Sequence, residues 1–365
     1  MALKVVTFDE ALRLSDSYGM RHLLLGNGFS MACKPNIFSY TSLFAEARKK
    51  MSKELAEIFD ALRTKDFEKV IRALMDAASI LGVYQPKMIR EKRSLEKDAE
   101  KLKGDLIQAV AGTHPARPYD VSDEEYVACR LFLANFISND RNGKVYTFNY
   151  DLLLYWTLMH EGDEADFDYV KLNHDDGFRK DRADYDAEYV EWQGEGASNT
   201  GQNIHYLHGA LHLFDAGFQL QKYTWVNTGK ALVDQANEAL KRNAFPLFVA
   251  EGDTSSKLTK ILHSAYLHHN LKSFASMCQV KAQRGKALFV YGHSFDDNDA
   301  HVLNKIGYGK IDHIFVSLYG DPDSPSNSQI RANVAAIVSL RGEHGPGLEV
   351  TYYDAESAAV WGLKP

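Results

Sequence analysis

Four short polar motifs sit in order along this chain, and each ends or interrupts an apolar run. They are Gly26-Asn27-Gly28-Phe29-Ser30, Thr147-Phe148-Asn149-Tyr150-Asp151, Leu207-His208-Gly209 and Gly292-His293-Ser294-Phe295-Asp296-Asp297. The runs before them are His22 to Leu25, Val145-Tyr146, Ile204 to Leu207 and Ala287 to Tyr291. Short apolar runs that stop at turn residues read as buried strands. Strands alternating with helical stretches indicate a parallel α/β sheet. Ligands of such sheets bind outside the carboxyl ends of the strands. The pattern therefore predicts a Rossmann-like parallel sheet flanked by helices, with the four motifs converging on one nucleotide site.

Between the first strand and the Val145 run lies a large block that reads as helical. Ala45, Met51, Leu55, Ile58, Phe59 and Leu62 fall at helical spacing, and Phe67, Val70, Ile71, Leu74 and Ala78 continue it. Glu91 to Gln108, rich in Lys and Glu, reads as an exposed helix, and Glu124 to Ser138 as a core helix. We read one domain over 1–365, with 42–141 a helical insertion or cap after the first strand. The stripe at Phe67, Val70, Ile71 and Leu74 serves either an interface between copies or internal packing. Further on, helices are expected at 152–159, 231–242, 256–266, 271–283, 298–307 and 329–340. The stretch 161–203 reads as loops and short strands. Residues 211–213 and 220–225 suggest a small antiparallel hairpin, 246–250 is strand-like, and 313–318 and 348–352 are the last strands.

The totals narrow the class. A 365-residue chain that is 45% hydrophobic can bury a substantial core. A formal charge of −7 gives no support to direct nucleic-acid binding. Cys33, Cys129 and Cys278 are isolated and no CxxC occurs, which argues against a thiolate zinc site, a redox pair or a disulfide framework. No apolar stretch approaches the roughly 18 residues of a membrane span. The N-terminus lacks the long apolar segment of a signal peptide. A cytoplasmic protein with no membrane contact is expected.

Each motif has a chemical and a plain structural reading. Two glycines around Asn27 allow a tight turn, so amides at the next helix start can hold a pyrophosphate, with Ser30 as cap or phosphate ligand; the plain reading is a strand-to-helix turn. The Asn149 carboxamide both donates and accepts, so it suits a ribose hydroxyl or an attacking water, whereas Asn149 or Asp151 can equally cap the helix from Leu152. His208 at a strand end suits general-base work, with Gly209 leaving room for a sugar or ring. Its rivals are a structural histidine, or a zinc site with His205 and His212. Strand alternation sets His205 and His208 on opposite faces, a poor chelate, so no metal is expected. Asp296, Asp297 and Asp299 read as helix-start acids rather than magnesium ligands. Ser294 can face a phosphate or ribose, Ser317 ends a strand where an adenosine can sit, and Glu251 is either a pocket acid or an ordinary loop acid.

In order and wording the four motifs resemble the sirtuin-like NAD-binding superfamily, and within it the bacterial sirtuin-like NADases of anti-phage defence. The Gly-Ala-Gly-x-Ser loop of sirtuins is matched by Gly26 to Ser30, with Asn27 in the Ala place. Their Thr-x-Asn-x-Asp strand end is matched by Thr147 to Asp151. Their catalytic His-Gly is matched by His208-Gly209, and their later Gly-x-Ser loop by Gly292 to Ser294. The match touches 20–320, in short islands. The chain lacks the two zinc CxxC pairs of the protein deacylases and their Pro-x-Phe-Arg segment, so the resemblance implies hydrolysis of NAD rather than acyl-lysine chemistry. It implies that Gly26, Asn27, Gly28, Phe29, Ser30, Thr147, Asp151, Gly292, Ser294 and Ser317 hold NAD, that Asn149 positions the nicotinamide ribose or water, and that His208 takes a proton. It also implies NAD depletion in defence by a homo-oligomer. Its switch would be a hexameric ATPase translocase or a phage protein.

Overall fold

The strand that ends at the first glycine motif is the centre of the molecule. The computed structural model describes residues 3–35, 47–49, 51–64, 67–113, 115, 117–160, 170–179, 189–193, 201–215, 220–223, 234, 246–249, 254–345 and 347–362. In chain order the elements are β1 (Val5–Val6), α1 (Phe8–Leu14), β2 (Met20–Leu25), α2 (Gly28–Cys33), α3 (Lys53–Ala61), α4 (Phe67–Tyr84), α5 (Ile89–Thr113), α6 (Asp123–Ile137), β3 (Val145–Thr147) and α7 (Leu153–Met159). Then come β4 (Phe178–Arg179), β5 (Tyr189–Trp192), β6 (Ile204–Tyr206), β7 (Gly209–Asp215), β8 (Leu220–Tyr223), β9 (Pro246–Phe248), α8 (Thr254–His263) and α9 (Ala265–Gln279). The chain closes with β10 (Lys286–Tyr291), α10 (Ala300–Gly307), β11 (His313–Leu318), α11 (Pro325–His344) and β12 (Glu349–Asp354).

Seven strands form one sheet in the order β1-β12-β11-β10-β2-β3-β6, and every pairing is parallel. Leu23, Leu24 and Leu25 are fully buried, as a central strand covered on both faces requires. Counted from β2, the strands lie in the doubly wound order: β3 and β6 go to one side, β10, β11 and β12 to the other. The direction of winding reverses between β2 and β10. In register, Leu25 pairs with Tyr291 and Thr147, so the Gly26, Asn149 and Gly292 turns leave the sheet side by side. Such a switch point is where an α/β sheet opens a crevice.

A second sheet, antiparallel, runs β4-β5-β8-β7-β9. The expected hairpin is its β7–β8 pair. One apolar core covers the parallel sheet and reaches into this second sheet through Phe178, Ala210 and Leu213. Among the described residues no helix is long and apolar enough to cross a membrane.

The helical block departs from expectation in two ways. First, α6 is not part of the insertion. Tyr126, Cys129, Phe132, Leu133, Phe136 and Ile137 lie in the main core, and Phe136 packs edge-on against Phe289 of the central strand β10. The insertion therefore ends before α6, short of 141. Second, the stripe faces inward. Val70, Ile71 and Leu74 are at most 2% exposed and pack with Leu55, Phe59, Ala99, Leu102 and Leu211. The stripe closes a small core of the insertion against β7, which overturns its reading as an interface; the Phe67 side chain lies outside the described residues. Of the lysines and acids of α5 described, Glu91, Lys97, Glu100 and Lys101 are exposed as expected, while Lys92, Glu96, Asp98, Lys103 and Asp105 are half-buried. The short β1 and α1 were not expected. The helix over 231–242 (Asp234 apart), Ala250 and Glu251 lie outside the described residues.

Candidate functional site

The two glycine turns exist for each other. A Cβ on Gly26 would stand 2.5 Å from the Gly292 carbonyl oxygen, and one on Gly28 2.5 Å from the Gly292 Cα. Gly292 itself has φ of +67°, a left-handed conformation that glycine adopts without strain. The Gly28 amide donates to the Gly292 carbonyl at 2.8 Å, and the Gly26 amide to the Tyr291 carbonyl at 2.9 Å. Ser317 accepts from the Gly292 amide at 2.9 Å. The amides of Phe29 and Ser30 donate back to the carbonyls of Gly26 and Asn27. A pyrophosphate at these amides must therefore displace bonds within the protein. Phe29 is fully buried and packs on Trp361, whose indole donates to its carbonyl. Ser294 is exposed, and its carbonyl accepts from Asn333. Ser317 braces the turn.

Asn149 stands at the end of β3, 7% exposed. Its amide donates to the Thr147 hydroxyl at 3.0 Å, which folds the turn. Its carboxamide nitrogen donates to Ser30 Oγ at 2.9 Å, and Ser30 Oγ in turn donates to Asp151 Oδ2. The other Asp151 oxygen accepts from the Leu153 amide at 2.9 Å, so Asp151 is both the helix-start acceptor and the anchor of the Asn149–Ser30 chain. Burial pushes the Asp151 carboxyl up, and the bonds from Ser30 and Leu153 oppose that. The first two motifs are thus joined by a polar thread.

His208 is the pivot between the two sheets. Gly209 has φ of +76°, and a Cβ there would lie 2.0 Å from the Leu247 carbonyl oxygen. The glycine serves this turn and close approach, and the space expected for a sugar is filled by β9. The His208 carbonyl accepts from the Val249 amide at 2.8 Å. The ring, 4% exposed, sits edge-on to Phe148, and Phe148 also packs against His293. His205 goes elsewhere, stacked on Tyr146 and bonded to Asn270 and Ser273. His212 stacks on Tyr155. The three neighbouring histidines therefore do not share a site.

What His208 meets instead comes from beyond the fourth motif. Its Nε2 lies 3.2 Å from His301 Nε2 and 3.7 Å from Asp299 Oδ1. Lys257 Nζ is 3.0 Å from the same Asp299 oxygen. His293 Nε2 is 3.2 Å from Asp299 Oδ2, while its Nδ1 accepts from the Phe295 amide at 2.9 Å. That amide leaves the His293 proton on Nε2, where it donates to Asp299. Phe295 holds a positive φ of 56°, uncommon for a bulky residue.

Charge is unevenly shared in this cluster. Burial drives His208 well below its ordinary value; Asp299 opposes this, and Lys257, His301 and His293 add to it. Burial likewise lowers His301 to about 4 against the pull of Asp299. Burial alone would raise Asp299, but the hydrogen bond from His293 and the nearness of His208, the Lys257 ammonium and His293 outweigh it and hold the carboxyl well below its usual range. At neutral pH the two facing imidazoles are uncharged, so one donates Nε2–H to the other. His208, Asp299 and His301 also bring their ligand atoms within 4.8 Å of one another.

Asp296 behaves as expected, its side chain accepting from the Asn298 amide. Asp299 does not; it is the hub of the cluster rather than a helix-start acid. His293, Asp299, His301 and Lys257 were not expected at the site. Their signal was the Gly-His-x5-Asp-x-His run after a buried strand, and a lysine on the apolar face of α8 with Leu258 and Ile261.

The family model described as "Domain of unknown function (DUF4917)" matches residues 23–361. No curated protein matches the chain.

Proposed function

The chain belongs to that family, whose description names no activity, and from the site we propose that it is an NAD glycohydrolase, cleaving the bond between nicotinamide and ribose. The observation that carries the reading is that Asn149 and His208 follow adjacent strand ends whose last residues, Thr147 and Tyr206, are paired in register, on the same side of a doubly wound sheet as the paired glycine turns. The motif resemblance to sirtuin-like NADases supports it. In the proposed reaction the C1′–N bond breaks and its electron pair goes to the nicotinamide ring, which leaves neutral. Positive charge builds on the sugar, as in other oxocarbenium-like reactions. Water adds to C1′ and gives up one proton. Asn149, fixed by Ser30, orients the ribose or the water. In the tautomer that donates Nε2–H to His301, His208 carries its lone pair on Nδ1, the accepting atom. The Asp299 carboxylate nearby favours the imidazolium that forms.

NAD depletion in anti-phage defence, in an assembly with further copies or an ATPase partner, is the biological setting we propose. Incubating the purified chain with NAD and following nicotinamide release tests the chemistry. His208→Ala is expected to lower turnover by roughly 10²–10⁴-fold, the range of general-base help, with the fold unchanged by circular dichroism. Undiminished turnover in the folded variant removes His208 from the mechanism. A second reading, binding of NAD or ADP-ribose without cleavage, draws on the engaged Gly28 amide and Asn149 carboxamide. Calorimetric binding of NAD with no nicotinamide released would favour it.

A further inference from the structure

We propose that His208, Asp299 and His301 form a site for a divalent transition-metal ion of the zinc class. Zinc sits about 2.0–2.2 Å from imidazole nitrogen and carboxylate oxygen in a tetrahedron, which sets neighbouring ligand atoms about 3.3–3.5 Å apart. The observed separations are 3.2 Å between the two Nε2 atoms and 3.7 Å from His208 Nε2 to Asp299 Oδ1. Both are close to this spacing, and all three ligand atoms lie within 4.8 Å of one another. Two imidazoles and one carboxylate are a donor set that borderline ions of this class prefer, and three protein ligands leave a coordination position open. The supporting shell is present as well. His293 donates Nε2–H to the second Asp299 oxygen, and its own orientation is locked by the Phe295 amide, the kind of outer partner that steadies a ligating carboxylate.

One group opposes the ion. Lys257 Nζ lies 3.0 Å from Asp299 Oδ1, so the ion must share that oxygen with an ammonium group. The site is therefore one of tunable affinity, and Lys257→Met should bind the ion at least about tenfold more tightly, because a like charge a few ångströms away is removed.

Occupancy has a consequence that rests on the hydrolase reading. A metal on His208 Nε2 fixes the ring proton on Nδ1, the atom proposed to accept the proton from water. Metal binding and base catalysis then exclude each other, and zinc inhibits NAD cleavage.

The test uses the full chain, stripped with chelator and dialysed, and titrated with Co2+ alone and then Zn2+ alone. We expect one equivalent of Co2+ to bind with the intense visible absorption of a low-coordinate ion, and Zn2+ to displace it. His301→Ala and Asp299→Asn should lose the band while keeping the wild-type circular dichroism; His301→Gln replaces His301→Ala if that variant does not fold. No binding by the folded wild-type chain overturns the site, as does an unchanged band in both variants. Faster NAD cleavage with zinc bound overturns the exclusion. A chain that binds Co2+ in this way but releases no nicotinamide keeps the metal site and sinks the hydrolase reading.

Discussion

Ser30 bonds two residues more than a hundred positions away from it in the sequence, and its hydroxyl is the best place to test the polar thread. It accepts from Asn149 and donates to buried Asp151. Ser30→Ala leaves both without that partner, so it should cost about 1–3 kcal/mol, the range for stranding a buried polar group. It should also raise the Asp151 carboxyl further, since the lost bond was one that lowered it. Urea denaturation reads the first effect, and an unchanged midpoint would show that the thread contributes nothing. Asn149→Ala should instead lose turnover while retaining ADP-ribose binding by calorimetry; lost binding would assign Asn149 to holding the site together. Asn149 and His208 were legible as buried polar strand ends because each closes an apolar run, though a helix cap or a structural histidine explained each as well. Asp299 was not. It sits in Asp296-Asp297-Asn298-Asp299, where a helix start explains every acid, and only the approach of His208, Lys257 and His293 from other elements singles it out.

At the level of elements, the contact between the glycine turns and the core of the insertion each make a prediction. Gly292→Ala puts a methyl group 2.5 Å from Gly28 Cα at a backbone angle that L-residues avoid. Overpacking costs about 1–3 kcal/mol and the left-handed residue about 1–2 kcal/mol more. The thermal midpoint should fall by several degrees; an unshifted one would mean the turns are free to part. Val70→Asp places an unpaired charge in the pocket formed by Leu55, Phe59, Ala99 and Leu102 and should unfold the insertion. Light scattering with circular dichroism separates this from an interface defect, which would give a folded, smaller species. The strands ending in motifs were legible from their apolar runs and turn residues, which are local signals. The direction of the Val70 stripe was not, because a helical period marks an apolar face without naming what covers it. Likewise α6 read as part of one helical block, since nothing local distinguishes a helix packed on the central sheet from one in the insertion.

For the whole molecule, the doubly wound order was legible in class because only a parallel sheet brings four strand-end motifs together. The second, antiparallel sheet was visible only as one hairpin, a strand-like 246–250 and short strands without partners, since its strands are short and spread over 178–248. A set of buried histidines should govern the response of the protein to acid. Burial lowers His22 and His205 to about 3 and His301 to about 4, and takes His208 well below its ordinary value. Each is neutral in the folded chain at a pH where the unfolded chain, with a histidine near 6.5, is already protonated. The unfolded state then binds more protons, so stability rises with pH through that window and is lost as pH falls from about 6.5 towards 4. Each histidine contributes up to about 1.4 kcal/mol per pH unit there, and four acting together are comparable with the usual net stability of a domain within about two units. Asp151, raised by burial, acts the other way, binding its proton more readily when folded and losing that contribution as pH rises; one such group does not offset four. Asp299, held low, adds its loss only below the ordinary carboxylate range near 4. Urea midpoints measured from pH 7.5 to pH 4.5 should therefore start to fall near pH 6.5. A midpoint flat down to pH 5 would show that these rings take up protons in the folded chain, and that the His208–His301 pair is charged rather than neutral.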